Sequence, residues 1–281
     1  MKKVFFAVAL ALPVLFACGN KPVKDDPIVS PKLADYAVDL KLEKAVAIPL
    51  PLSGTKEPVQ VTDINFFRGG RYMFTGTKVE SKANDSILYF SGTYTTADGK
   101  TYTCSGDFSG NVDLSGATLT INGETVNVNV TKPSVTAGSM EDFIFRSWKV
   151  SVIELVLDSP NIKQRITCSG NSNVSEAVKV ANQASPGLLD ADKLAGYDVK
   201  EISLNPGKIM VSFTGQPTYA GSLNASATSF SYNFTETFTG NFINGNASGT
   251  LQKDGNNLVA TLNVKTDKLT GKMIITLAQA N

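Results

Sequence analysis

The side chains in this sequence that most readily suggest chemistry are three cysteines and a few acid pairs, and their spacing narrows what each can do. Cys18 ends an apolar run, Leu15-Phe16-Ala17-Cys18, whereas Cys104 and Cys168 each lie in a Thr-Cys-Ser-Gly tetrapeptide far apart in the chain. There is no histidine, which removes serine–histidine–aspartate and cysteine–histidine catalysis and most zinc sites. Any enzyme chemistry left would need paired carboxylates, lysine bases or a bound cofactor. Glu141-Asp142 and Asp190 with Asp192 are acid pairs, but carboxylate catalysis needs two groups at a defined separation across a cleft. Adjacent acids on a loop are ordinary solvated charges. The sequence therefore assigns no catalytic residue, no metal ligands and no cofactor, and the chain reads as non-enzymatic.

The segment before Cys18 fits a secretory signal peptide, with Met1-Lys2-Lys3 as its basic start and Val4 to Ala17 as its apolar core. A bilayer-spanning helix needs about 20 apolar residues, so this run reads as a removable address, residues 1–17. The junction Leu15-Phe16-Ala17-Cys18 resembles the lipobox of bacterial lipoproteins, although Phe16 is bulkier than the usual occupant of its place. The resemblance implies cleavage before Cys18 and lipid on that cysteine. Several acyl chains, at about 0.8 kcal/mol for each buried methylene, make such an anchor stable. Residues 18–33 then read as a proline-rich tether, extended and semi-rigid. Within it, Lys24-Asp25-Asp26 resembles the lysine-plus-acidic signal that sends some Bacteroidota lipoproteins to the cell surface, and it is equally compatible with a solvated linker. The expected location is the outer membrane, lipid-anchored, on its surface or periplasmic face.

Composition sets further bounds. Lysine and arginine total 26 against 25 acids, so no basic field exists to attract nucleic acid. An exported chain meets an oxidising compartment, where Cys104 and Cys168 are compatible either with a bridge or with two buried apolar thiols.

From Val61 onward, short alternating runs of Thr, Val, Ile, Phe, Tyr, Ser and Asn predict antiparallel strands. Asp98-Gly99, Asn122-Gly123, Asn244-Gly245 and Asp254-Gly255 each sit between such runs and suit the positive φ angles of type I′ hairpin turns. Helical signal is confined to 175–184, where Val174, Ala177, Val178 and Ala181 recur at helical spacing between Asn173 or Ser175 as cap and Ser185-Pro186-Gly187 as stop. With a second short turn beginning at Asp190, the helical insert covers about 174–196.

The chain also matches itself. Asp63-Ile64-Asn65-Phe66, Arg68-Gly69-Gly70-Arg71 and Phe74-Thr75-Gly76 align with Glu201-Ile202-Ser203-Leu204, Asn205-Pro206-Gly207-Lys208 and Phe213-Thr214-Gly215. The match predicts two β-domains in tandem, at 34–131 and 140–281, joined by a linker at 132–139. Phe145-Arg146-Ser147-Trp148-Lys149-Val150, the helical insert, and Leu194-Ala195-Gly196-Tyr197-Asp198-Val199 before a closing meander resemble Bacteroidota lipoproteins with lipocalin-like domains. The resemblance implies an all-β fold with a short helical insert, an antiparallel meander closing a lipocalin-like barrel. It covers the second half well and the first only through the repeat, and it supports a fold better than a function.

Three functions follow as expectations. The first is a lipoprotein that binds a small hydrophobic ligand or a glycan without transforming it, since a small barrel can hold a ligand in its mouth. The second is a structural or adhesive surface protein, and the third, less favoured, is a hydrolase. Tyr72, Phe74, Tyr89, Tyr94, Tyr219, Phe230, Tyr232 and Phe234 could line a cavity or fill a core. Trp148 is expected to plug the closed end of the second barrel, which places Tyr219 or Tyr232 at the opposite mouth as ligand contacts. Asp85-Ser86-Ile87 resembles the Asp-Ser/Thr-aliphatic sequence O-glycosylated in exported Bacteroidota proteins, with Ser86 as acceptor. The expected partners are the membrane, through the lipid, and a small ligand or glycan.

Overall fold

The structure, a computed structural model, describes residues 35–280 except 53–54, 79–86, 160, 169–170, 193, 217, 226–228, 239–240 and 266–269. For 230–247 the description is of the backbone. The described chain forms two compact units that divide between Val135 and Thr136, within the stretch read as a linker. Both units are all-β and antiparallel, as the alternation and turn signals predict.

The first unit is a closed barrel of eight strands in sequence order. These are β1 (Val38–Leu52), β2 (Thr55–Phe66), β3 (Arg71–Lys78), β4 (Leu88–Thr95), β5 (Thr101–Gly106), β6 (Gly110–Ser115), β7 (Thr118–Ile121) and β8 (Glu124–Thr131). β1 closes the ring on β8 through Asp39–Leu42. The strict alternation of Tyr102-Thr103-Cys104 or Thr125-Val126-Asn127-Val128 sends every second side chain inward.

The interior is filled. Phe66 stacks on Tyr102 with ring centroids 4.0 Å apart and meets Tyr94 edge-on at 4.9 Å. The three fully buried tyrosines of the barrel tie their hydroxyls to the backbone: Tyr94 to the Phe67 carbonyl at 2.8 Å and Tyr102 to the Tyr36 carbonyl at 2.7 Å. Tyr72 does so twice, donating to the Phe108 carbonyl and accepting the Phe108 N–H, both at 2.8 Å. Its ring reaches Phe108 by passing over the cross-strand pair Gly92 and Gly106. A Cβ at Gly92 would lie 2.7 Å from that hydroxyl and overlap the Ser105 carbonyl oxygen, so glycine is required there by space. Burial pushes the Tyr72 and Tyr94 hydroxyls well above the usual tyrosine range and Tyr102 up to about 12.

The second unit begins with α1 (Met140–Ile144) and β9 (Ser147–Ser159), followed by β10 (Asn161–Thr167) and α2 (Val174–Ala184). A meander follows: β11 (Val199–Asn205), β12 (Gly207–Phe213), β13 (Tyr219–Ala225), β14 (Ser229–Phe238), β15 (Asn241–Asp254), β16 (Asn257–Lys265) and β17 (Thr270–Gln279). The sheet curls back on itself through β9. That strand pairs with β17 at ten positions, and with β11 at only Ser147 and Trp148. Beyond Trp148 the same edge of β9 carries β10 instead. Setting β10 and α2 aside as an insertion, both units are eight-stranded meanders whose first strand pairs with their second and last.

The matched hairpins occupy the same place in each unit, β2–β3 and β11–β12. The repeated Phe-Thr-Gly does not hold one register: Phe74 lies opposite Ile64, whereas Phe213 lies opposite Val199. The loops explain the slip, since Phe66 and Arg71 flank the first and Asn205 and Lys208 the second. The deeper correspondence is in the pairing. Asp39 pairs with Asn65 and Asn65 with Met73, while Ser147 pairs with Ser203 and Ser203 with Met210. Both polar pairs are hydrogen-bonded, Asn65 to Asp39 at 3.0 Å and Ser147 with Ser203 at 2.9 Å.

The expected turns fare unevenly. Asn122 and Gly123, with φ of 51° and 79°, form the type I′ turn between β7 and β8. Asp98-Gly99 lies in a longer loop, where Asp98 Oδ1 accepts the N–H groups of Lys100 and Thr101; those bonds hold its carboxyl below the usual range. At 254–257 the flanking pair is Asp254 and Asn257, so Gly255 takes the first central place of the turn, the position glycine favours in type II′. Asn244-Gly245 is not a turn: both residues lie inside β15, opposite Thr235 and Phe234. Phe238 pairs with Asn241, so the chain reverses earlier.

Candidate functional site

The candidate site belongs to the second unit, and its best-defined feature is the packing around Trp148. α1 is a single turn started by Ser139, whose Oγ accepts the Asp142 N–H at 3.1 Å, and by Asp142, whose carboxylate accepts the Gly138 N–H at 2.9 Å. Asp142 is thus occupied as a capping group. The turn presents Phe143 to the tryptophan, ring centroids 5.3 Å apart and edge to face. Trp148 is fully buried and its Nε1 donates to the Ile144 carbonyl at 2.8 Å. Arg146 lies 5.2 Å from the Phe143 ring and 5.9 Å from Trp148, and Lys253 Nζ sits 4.5 Å from the Phe143 ring. Cations over aromatic faces are attracted by the ring quadrupole. α1 and Arg146 thus pack over the tryptophan, and Lys253 over Phe143.

Tyr219 stands in the same row of paired residues as Trp148, which runs Trp148, Ile202, Val211, Tyr219 across β9, β11, β12 and β13. All four are buried. Tyr219 packs against Phe213 at 4.9 Å and lies parallel to Tyr197, its hydroxyl 3.3 Å from that of Tyr197. The geometry therefore makes Tyr219 part of an interior aromatic trio. Tyr232 pairs through its backbone with Leu223 and Ala247, while its side chain lies outside the described residues. Cys18 and Ser86 also lie outside them. Ile87, next to Ser86, is 45% exposed.

In the sequence Asn173 stands out only as a helix cap, and Tyr197, Asp198 and Phe213 only as members of motifs; in the structure the four complete this region. Asn173 is the N-cap of α2, accepting the Val174 N–H at 2.9 Å, and the same amide pairs with both backbone groups of Val199 at 3.1 Å. Asp198 Oδ1 accepts the N–H groups of Asn173 and Ser175 at 2.8 and 2.9 Å. The start of the helix is thereby stitched to the start of β11, and Tyr197 is delivered to the interior. The buried face of α2 is Val174, Ala177, Val178 and Ala181, the residues its spacing predicts. Past α2, the Leu194 N–H donates to the Asp190 carbonyl in a turn, where the second helical turn was expected. The signal for Tyr197 was Gly196-Tyr197-Asp198: Gly196 has φ of 79° and lets Gly215 approach, with a hydrogen bond of 3.0 Å.

Cys104 is a buried free thiol whereas Cys168 is disulfide-bonded, so the two are not bridged to each other and are not a pair of buried thiols either. Desolvation pushes the Cys104 thiol up to about 12, leaving it protonated and unreactive at neutral pH. Among the described residues no group of three or more cysteines, aspartates and glutamates is placed to hold a metal ion, and none of the helices is long and apolar enough to cross a membrane. The arrangement offers aromatic faces and hydroxyls, the chemistry of binding and packing. Comparison with protein-family models, with curated proteins and with solved structures finds no match to this chain.

Proposed function

We propose that this protein is an exported lipoprotein, anchored through Cys18, whose second unit binds a small hydrophobic ligand or a glycan without chemical transformation. The observation that supports this reading is the difference in closure between the two units, a closed barrel in the first and a curled sheet opened by an insertion in the second. The first barrel is packed by aromatic rings whose hydroxyls are locked to the backbone, and it has the character of a solid spacer. The second unit is packed over Trp148 and carries an insertion, β10 and α2, that brings an extra tyrosine to its interior aromatics. A ligand would enter away from Trp148 and meet apolar walls with few polar groups, the usual make-up of a small-molecule site.

The second reading is a structural or adhesive surface protein, and the filled first barrel favours it for that unit. Native mass spectrometry of protein purified from its own host separates the two. A co-purified small molecule, displaced when an apolar fluorescent probe is added, is the expected result. A clean apo mass with no probe binding would leave the adhesive reading in its place.

A further inference from the structure

The curled sheet of the second unit is split where β9 leaves β11. Beyond Trp148, β9 pairs with β10, and β10 ends the order of strands with no neighbour on its other side among the described residues. The register shows which backbone groups that leaves. The Cys168 N–H donates to the Ser151 carbonyl in line with the β9–β10 pairing. Antiparallel pairs alternate between bonded and non-bonded, so Ile162, Gln164 and Ile166 are the residues bonded to β9. The N–H and C=O groups of Asn161, Lys163, Arg165 and Thr167 then point along the open edge, and all four residues are exposed. The facing edge of β11 is treated differently, because the Asn173 amide occupies both backbone groups of Val199. One side of the split is capped by a side chain, and the other has no partner among the described residues.

An exposed strand edge is a template for another extended chain. The side chains of Lys163 and Arg165 share the outer face, while Ile162 and Ile166 are buried on the inner one. Arg165 is paired with Glu154, its neighbour on β9, and Lys163 has no carboxylate partner among the described residues. We propose that the β10 edge is a docking site for an extended peptide segment of another protein, one that carries acidic residues at alternate positions and adds to the sheet as a strand. Its backbone would pair with Lys163 and Arg165, its carboxylates would face Lys163, and its apolar residues would turn toward Ile162 and Ile166. A second copy of this chain is a poorer occupant, because antiparallel pairing of β10 with itself about Gln164 sets Lys163 against Arg165.

The test uses the whole chain from residue 19 onward. Hydrogen exchange should show the Ile162, Gln164 and Ile166 amides protected and those of Lys163 and Arg165 exchanging freely, and a labelled peptide alternating glutamate and valine should slow the latter two. In fluorescence anisotropy the peptide should bind saturably. Proline at its alternate positions should abolish binding, since it cannot donate to a ladder. Lys163→Glu should weaken binding about fivefold, the effect of one exposed charge pair. The proposal is overturned if the Lys163 and Arg165 amides are already protected without peptide. No saturable binding, or equal binding of the proline peptide, has the same consequence. Sedimentation showing self-association that Lys163→Pro removes would assign the edge to a second copy instead.

Discussion

Replacing Trp148 tests the account of the packing around it most directly, because it is the only tryptophan in the chain and so reports on its own surroundings. The side chain is fully buried, contacts Phe143 edge-on, lies beneath Arg146 and donates to the Ile144 carbonyl. Trp148→Ala removes all four and leaves a cavity that the surrounding side chains fill only in part, which costs about 3–5 kcal/mol. Trp148→Phe keeps a ring against Phe143 and Arg146 and removes one of the two hydrogen bonds the Ile144 carbonyl accepts, the other coming from the Arg146 N–H at 2.9 Å, a cost of about 0.5–1.5 kcal/mol. Urea unfolding of the chain from residue 19 onward, followed by far-ultraviolet circular dichroism, measures both. In the wild type, tryptophan emission should be blue-shifted when folded and move to the red as this unit unfolds. The reasoning is refuted if native emission is that of a solvent-exposed indole, or if Trp148→Ala costs less than about 1 kcal/mol.

Other outcomes follow from the same structure. Tyr72→Phe strands both backbone groups of buried Phe108 and should destabilise the first barrel by about 2–4 kcal/mol; a loss under about 0.5 kcal/mol in calorimetry would mean water replaces the hydroxyl. Tyr102 and Cys104 have folded pKa values raised from 10.0 and 9.0 to about 12. Their contribution to stability is therefore complete below about pH 9 and is lost as pH rises from there toward 12, so urea midpoints should fall between pH 9 and 11 after correction for the other tyrosines, and a flat profile would contradict the burial. Cys104 should resist alkylation in the folded protein and react once urea unfolds it. Cys18→Ala should move the protein from the membrane pellet to the soluble fraction, and retention in the pellet would place the anchor elsewhere.

Much of the fold was legible from the sequence because its signals are local. The two-residue alternation in Tyr102 to Cys104 reflects the pleat of one strand, and the boundaries of α2 follow from Asn173 as cap and a stop at Ser185, each acting within a turn of the chain. Asn122-Gly123 specifies its turn because only residues tolerant of positive φ fit both central places. α1 escaped notice because five residues carry no periodicity; only Ser139 with Asp142 three places on marks it. Asn244-Gly245 misled because a turn-prone dipeptide is also tolerated within a strand when the pairing on both sides holds it extended.

The sequence by itself determined the strand-rich class, the one substantial helix among the described residues and the thiol and acid chemistry the chain can muster. Only the tertiary structure decided how the strands close. Whether β9 would pair with β11, β10 or β17 depends on contacts between residues more than a hundred positions apart, Ser151 with Thr276 among them, and no local propensity encodes such a choice. The same holds for the tyrosines. Alternation shows that Tyr72 and Tyr219 point to one face of a strand, but whether that face meets a cavity or a neighbour is set by which rings arrive from the other side. In the first barrel the answer is Phe74 and the Phe108 backbone, and for Tyr219 it is Phe213 and Tyr197.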